Sequence, residues 1–206
     1  MKRTVDIYLP LDSREEPNAI VWPDTIGQLD ELVKVIKKLG WEPNVLNPDK
    51  PVASVAEGLQ VINNAKGERF INFMGGWAYP DFSVSPMWQL PSEVPKLLLG
   101  SAVPDFPGAV GLLAATSGTE QVGIRTDRLF VENFEKQNEY SEAICTFLEK
   151  GEYKPAYPET INITVTDKDR EKARKAISAL SGSIYGAIGP RSMQMWNKIS
   201  EADFLK

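Results

Sequence analysis

Arg69-Phe70-Ile71-Asn72-Phe73-Met74-Gly75-Gly76-Trp77 is a β-rich run stopped by two glycines. It reads as the third strand of a series in which strands alternate with helices. Upstream, Val5-Asp6-Ile7-Tyr8-Leu9 alternates and reads as the first strand, and Pro10 to Pro23 reads as a polar, proline-bounded loop. From Thr25 to Leu39, Ile26, Leu29, Leu32, Val33, Ile36 and Leu39 recur with a helical period. Asp24 or Thr25 can cap that helix, Lys37 and Lys38 suit its C-terminal dipole, and Gly40 stops it. Trp41 to Leu46 is the second strand, and Ser54-x-x-Glu57 is a capping box opening a second helix.

Downstream the alternation continues. Lys96 to Leu99 reads as the fourth strand, Gly108 to Gln121 as a small-residue helix, and Ile124 to Glu132 contains a fifth strand. Asn133 is placed to cap a helix bearing Phe134, Tyr140, Ile144, Phe147 and Leu148, which Gly151 stops. This alternation predicts an α/β fold with a three-layer parallel sheet, Rossmann-like, with flavodoxin-like strand order preferred. Residues 1–150 form that domain. Residues 151–160, with Pro155 and Pro158, read as a linker. Residues 161–206 read as a truncated second α/β unit, a small βαβ extension: a strand at Ile161 to Val165, a helix bearing Ala173, Ala176, Ile177 and Leu180, and a strand at Ser183 to Ile188. Two strands and one helix do not close a core alone.

Composition narrows the chemistry. The 206 residues include one Cys and no His. Ser-His-Asp and Cys-His machinery, His-type zinc sites, an intrachain disulfide and a Cys-x-x-Cys pair are therefore excluded. Cys145 falls among apolar helical positions and reads as an inert core thiol. A net charge of −5 argues against a nucleic-acid surface. No apolar run is long enough for a membrane span, no signal-peptide core follows Met1, and a reducing, cytoplasmic setting is the simplest expectation.

In an open parallel sheet, ligands bind outside the carboxyl ends of the strands. The loop there after the first strand carries Asp12, Arg14, Glu15 and Glu16. The loop after the third carries Gly75 to Asp81, with Trp77 and Tyr79, and the loop after the fourth carries Asp105-Phe106-Pro107-Gly108. An aromatic plate, a guanidinium and carboxylates suit a polyhydroxylated ligand: a ring covers the C–H face of a sugar and polar groups take its hydroxyls. There is no G-x-x-x-x-G-K-[ST] and no G-x-G-x-x-G after the first strand. Plainer readings stand beside these. Trp77 serves equally as a plug of the sheet end, Arg14, Glu15 and Glu16 as a solvated cluster, Tyr79-Pro80-Asp81 as turn chemistry, and the Gly108 helix as a close-packing helix. Trp22, Trp41, Trp88 and Trp196 read as packing residues.

Gly75-Gly76-Trp77-Ala78-Tyr79, then Val94-Pro95-Lys96, then Phe106-Pro107-Gly108-Ala109-Val110-Gly111-Leu112-Leu113-Ala114-Ala115, closing near Gln121-Val122-Gly123-Ile124, together resemble the N-terminal domain of L-fucose isomerase. Leu180 to Gly189, with Ser192-Met193, resembles the opening of that family's second domain. The resemblance covers most of residues 69–125 and 172–206, and weakly the first loop. It implies an aldose–ketose isomerase that works at a Mn2+ site whose ligands, two carboxylates and a His, lie in the second and C-terminal domains. It implies no catalytic residue, metal ligand or cofactor within this chain. The N-terminal domain would complete the sugar pocket of a neighbouring subunit in a hexameric homo-oligomer, through a first-loop Arg and the strand-end Trp. Arg14 matches by loop position and Trp77 by motif, with Tyr79 beside it as a further substrate-binding candidate. The first loop lacks the family's Gly-Arg-Arg pattern, and residues 78–93 differ. The expectation is an N-terminal portion that shapes a sugar pocket and is inactive alone. The alternative is a stand-alone carbohydrate-binding or regulatory module. A flavodoxin-like nucleotide binder is disfavoured by the missing phosphate loop.

Overall fold

The computed structural model describes residues 3–102, 108–155 and 163–182. Its strands are β1 (Thr4–Tyr8), β2 (Glu42–Val45), β3 (Arg69–Met74), β4 (Lys96–Ser101) and β5 (Asp127–Val131). Its helices are α1 (Glu15–Lys38), α2 (Val55–Ile62), α3 (Asp81–Gln89), α4 (Gly108–Gln121), α5 (Gln137–Lys150) and α6 (Asp167–Leu180). The five strands form one all-parallel sheet in the order β2-β1-β3-β4-β5, as expected for a flavodoxin-like arrangement.

Register explains why the strands bury both faces. Ile7 pairs with Ile71 and Ile71 with Leu97, while Phe73 pairs with Leu99 and Leu99 with Leu129. These residues share one face and pack on Leu29, Leu32 and Ile36 of α1 and on Ile144, Phe147 and Leu148 of α5. The opposite face presents Tyr8, Phe70, Met74 and Leu98 to Ile62 of α2, Met87 of α3 and Leu112 and Ala115 of α4. Each fully buried Leu, Ile or Phe contributes roughly 1.5–3 kcal/mol, so the two apolar layers dominate the stability of the domain. Arg69 Nε donates to the Leu148 carbonyl at 3.0 Å, fastening the end of α5 to the start of β3. Gly151 ends α5 with φ 74°, a left-handed turn suited to glycine.

Several boundaries differ from the sequence reading. The expected loop from Pro10 to Pro23 is mostly helix, because α1 starts at Glu15. Pro17 lies in its first turn, where backbone N–H groups have no intrahelical acceptor to lose. Pro23 deprives the Ala19 carbonyl of its i+4 donor, but Ala19 is exposed and water can serve it. Helix α3 begins at the end of the expected Gly75 to Asp81 loop, in a stretch for which the sequence suggests no element, with Pro80 preceding it and Pro86 inside it. Asn133 does not cap α5; its side chain accepts from Glu135 N at 2.9 Å and the helix begins four residues later at Gln137. The capping box at Ser54 is half formed: Ser54 Oγ accepts from Glu57 N, while the Glu57 carboxylate accepts from Ala53 N. Trp41 is buried as expected, whereas Trp88 is 58% exposed on the outer side of α3. Cys145 is half-buried on α5.

In the extension, Ile163 to Val165 are not in a strand, and Ile161 and Asn162 lie outside the described residues. Helix α6 forms behind a capping box made by Thr166 and Asp169, and none of its side chains is buried. The expected strand at Ser183 to Ile188, the segment Gly189 to Met193 and Trp196 lie outside the described residues, as does Pro158 of the expected linker.

Candidate functional site

In the order β2-β1-β3-β4-β5 the direction of winding reverses between β1 and β3, and the crevice outside their carboxyl ends is where such sheets bind ligands. Two of the sequence-derived loops end there. The first runs only from Leu9 to Arg14, and the second from Gly75 to Pro80. Their side chains meet in a cleft of about 220 Å3 lined by Leu11, Asp12, Arg14, Pro17, Asn18, Val21 and Trp77.

Arg14 sits immediately before α1 and is not a loosely solvated loop residue. Its Nε donates to Asp12 Oδ1 at 3.1 Å and its Nη2 to Asp12 Oδ2 at 2.6 Å, a two-point pairing of guanidinium and carboxylate. The Asp12 side chain is 5% exposed and that of Arg14 68% exposed. The pairing holds the Asp12 carboxyl below the usual carboxylate range, chiefly through the Arg14 hydrogen bond, and raises Arg14 in turn. Glu15 and Glu16 occupy the exposed first turn of α1, where negative charge complements the helix dipole.

Trp77 enters from the other strand. It is half-buried, meeting the Tyr79 ring edge-on at 6.0 Å, and Tyr79 in turn packs on Phe82 at 5.3 Å. The three sequence-derived candidates, Arg14, Trp77 and Tyr79, are therefore brought together. Asp105-Phe106-Pro107 lies outside the described residues.

The glycines explain how the helices come so close. A Cβ on Gly75 would lie 2.2 Å from Thr25 Oγ1, and one on Gly76 2.5 Å from Val21 Cγ1, so only glycine lets α1 approach the end of β3. Gly111 of α4 packs on the same turn from the other side, 3.1 Å from the Gly76 carbonyl at its virtual Cβ. The Gly108 helix is thus a close-packing helix. Below the aromatic row, Tyr8 Oη donates to the Phe82 carbonyl at 2.5 Å. That carbonyl is the one whose i+4 donor Pro86 lacks, so a β1 hydroxyl completes α3 where proline leaves it open.

Sequence reading missed the part played by Asp12 and the wall made by Pro17, Asn18 and Val21. The signal for the wall is the spacing Pro17 to Val21, one helical turn, visible once α1 is started at Glu15. A larger hollow of about 520 Å3 lies against the end of β5, lined by Asp24, Glu31, Glu132 and Glu135 among others. It stands two strands away from the switch point and carries neither guanidinium nor the aromatic row.

Among the described residues, no group of three or more His, Cys, Asp or Glu side chains is arranged to hold a metal ion, so these residues do not fit a Mn2+ site. No described helix is long and apolar enough to cross a membrane. A family model for the first N-terminal domain of L-fucose isomerase matches residues 3–149. No curated protein matches the chain.

Proposed function

The chain belongs to the L-fucose isomerase family through its first domain, and on that premise we propose that the β1/β3 cleft is one wall of an aldose–ketose isomerase's sugar pocket. The observation that carries this is the convergence of Arg14 and Trp77, from two different strands, on the cleft at the switch point. At about 220 Å3 the cleft is smaller than the roughly 300 Å3 at which small-molecule pockets usually begin, which suits a surface that covers part of a ligand. The indole of Trp77 offers an apolar plate to the C–H face of a sugar, and Arg14 offers N–H donors to its hydroxyls. Tyr79 backs the plate. These groups bind and orient; none is placed as a base for the proton shift between adjacent carbons. That step, and the Mn2+ the family resemblance implies, belong to residues outside this domain. A second subunit of a cytoplasmic homo-oligomer, hexameric by resemblance, is the proposed source of the opposite wall.

Calorimetric titration of the full chain with pentoses and deoxyhexoses tests the reading. Wild type gives heat with at least one free sugar, and Trp77→Ala weakens it by roughly tenfold or more. No heat with any sugar overturns the cleft as a sugar site. Isomerisation by this chain alone, with Mn2+ supplied, overturns the division of labour.

A further inference from the structure

We infer that Asp12 is a positioning residue: its carboxylate aims the Arg14 guanidinium at the cleft and cancels its charge, so that Arg14 meets uncharged hydroxyls rather than anions. The identity of the hydroxyl-bearing ligand rests on the sugar reading above; the aiming and the cancelled charge rest on geometry alone.

The pair is built asymmetrically. Arg14 is mostly exposed, and a long free side chain there would sample many rotamers and lose that entropy on meeting a ligand. Asp12 is buried and is itself held in place. Its Oδ1 accepts from Arg14 N at 3.0 Å, and its carbonyl accepts from Asn18 Nδ2 at 2.7 Å. The loop behind it is tied down by Leu11 N donating to the Val52 carbonyl at 3.0 Å. A fixed carboxylate therefore holds a flexible guanidinium by two parallel bonds. Those bonds use two of the five guanidinium N–H donors, and three remain beyond the pair.

Charge at the rim points the same way. Asp12 neutralises Arg14, and Glu15 and Glu16 follow directly on the exposed first turn of α1. The donors of Arg14 are thus presented among three acidic side chains, Asp12, Glu15 and Glu16, that offset both the guanidinium charge and the positive end of α1. A solvent-facing ion pair of this kind adds little to stability, so the burial of Asp12 is not accounted for by the energy of the pair alone.

The test uses the full chain with nitrogen-labelled arginine. In wild type the Arg14 Nε–H exchanges slowly with solvent; in Asp12→Asn its exchange accelerates by roughly tenfold or more while the backbone amide spectrum is retained. Titration with inorganic phosphate gives no binding to wild type, binding to Asp12→Asn, and none to Asp12→Asn combined with Arg14→Ala. Arg14→Lys, which keeps the charge and Asp12 but loses the fork, weakens sugar binding as Asp12→Asn does, roughly tenfold. Unchanged Nε–H exchange, or equal loss of sugar affinity from Asp12→Asn with and without Arg14, overturns the inference. If wild type binds no sugar, the proposed function falls, and the exchange and phosphate measurements still decide the role of Asp12.

Discussion

Replacing Tyr8 with Phe removes one oxygen from the core and tests how α3 is held. The Tyr8 hydroxyl donates to the Phe82 carbonyl at 2.5 Å, and both residues are buried, at 0% and 5% exposure. Four residues after Phe82 stands Pro86, which has no N–H, so the helix cannot serve that carbonyl itself. Gly58 of α2 makes room for the hydroxyl: a Cβ there would lie 2.6 Å from Tyr8 Oη. Tyr8→Phe leaves a buried acceptor unpaired, which costs about 1–3 kcal/mol. Urea unfolding followed by tryptophan fluorescence reads this as a lower midpoint with unchanged slope. The decisive measurement is a double-mutant cycle with Pro86→Ala. That substitution brings a backbone N–H to the Phe82 carbonyl, so Tyr8→Phe becomes nearly neutral in its background. The change that Pro86→Ala makes to the unfolded chain occurs on both sides of the cycle and cancels. The expected coupling is about 1–3 kcal/mol. Coupling within about 0.5 kcal/mol of zero refutes the compensation.

Gly75→Ala drives a Cβ into Thr25 and destabilises by about 1–3 kcal/mol, with partial recovery in Thr25→Ala, because the Thr25 hydroxyl and methyl are two of the three nearest atoms; equal loss in both backgrounds, read from thermal unfolding, places the strain elsewhere. Hydrogen bonds from Arg14, Lys50 and Arg3 hold Asp12, Glu57 and Glu149 respectively below the ordinary carboxylate range. Each cation is solvent-exposed, so each pair contributes only a small stabilisation, complete above the unfolded values near about pH 4 and lost as pH falls through the lowered folded values; unfolding midpoints stay level from neutral to about pH 5 and fall only modestly through these pairs below about pH 4, and a drop beginning at about pH 6 contradicts the pairing. Pro23→Ala restores a donor to the exposed Ala19 carbonyl and stabilises α1 by roughly 1–2 kcal/mol, helix propensity outweighing the looser unfolded chain; destabilisation in urea shows instead that the proline shapes the approach of α1 to Gly76.

Where apolar period and stop residue agree, the chain is legible residue by residue. Gly108 to Gln121 is helical over the range expected, and α5 ends at Gly151. The third strand stops at Gly75 because a side chain there would strike α1, which makes the glycine pair both a sequence signal and a packing requirement. The starts of elements are less legible. Asn133 is a good cap by residue type, yet its side chain is used in a local turn and α5 waits until Gln137. The candidate site divides in the same way. Arg14 and Trp77 follow from the rule that ligands gather at strand ends. Asp12 could not be assigned its part, because nothing along the chain says that a carboxylate two residues before an arginine turns back to grip it.

The prolines show why the unread parts of the chain lie beside the cleft. Pro17, Pro23 and Pro86 each lie inside a helix, and the first two fall in the stretch that reads along the sequence as a loop. An interior proline costs a helix most where the carbonyl it strands goes unserved. Pro17 is in the first turn and strands nothing, Pro23 strands the carbonyl of an exposed residue, and Pro86 strands that of a buried one, which Tyr8 serves. The answer depends each time on tertiary surroundings that a local reading does not contain. Extending α1 back through Pro17 carries Asn18 and Val21 up to Trp77, and completing α3 through Pro86 seats Phe82 behind Tyr79. The cleft is thus walled by α1, whose prolines conceal it, while α3 stands behind Trp77 through Phe82 and Tyr79, and both helices come into view only when each stranded carbonyl is followed to its partner.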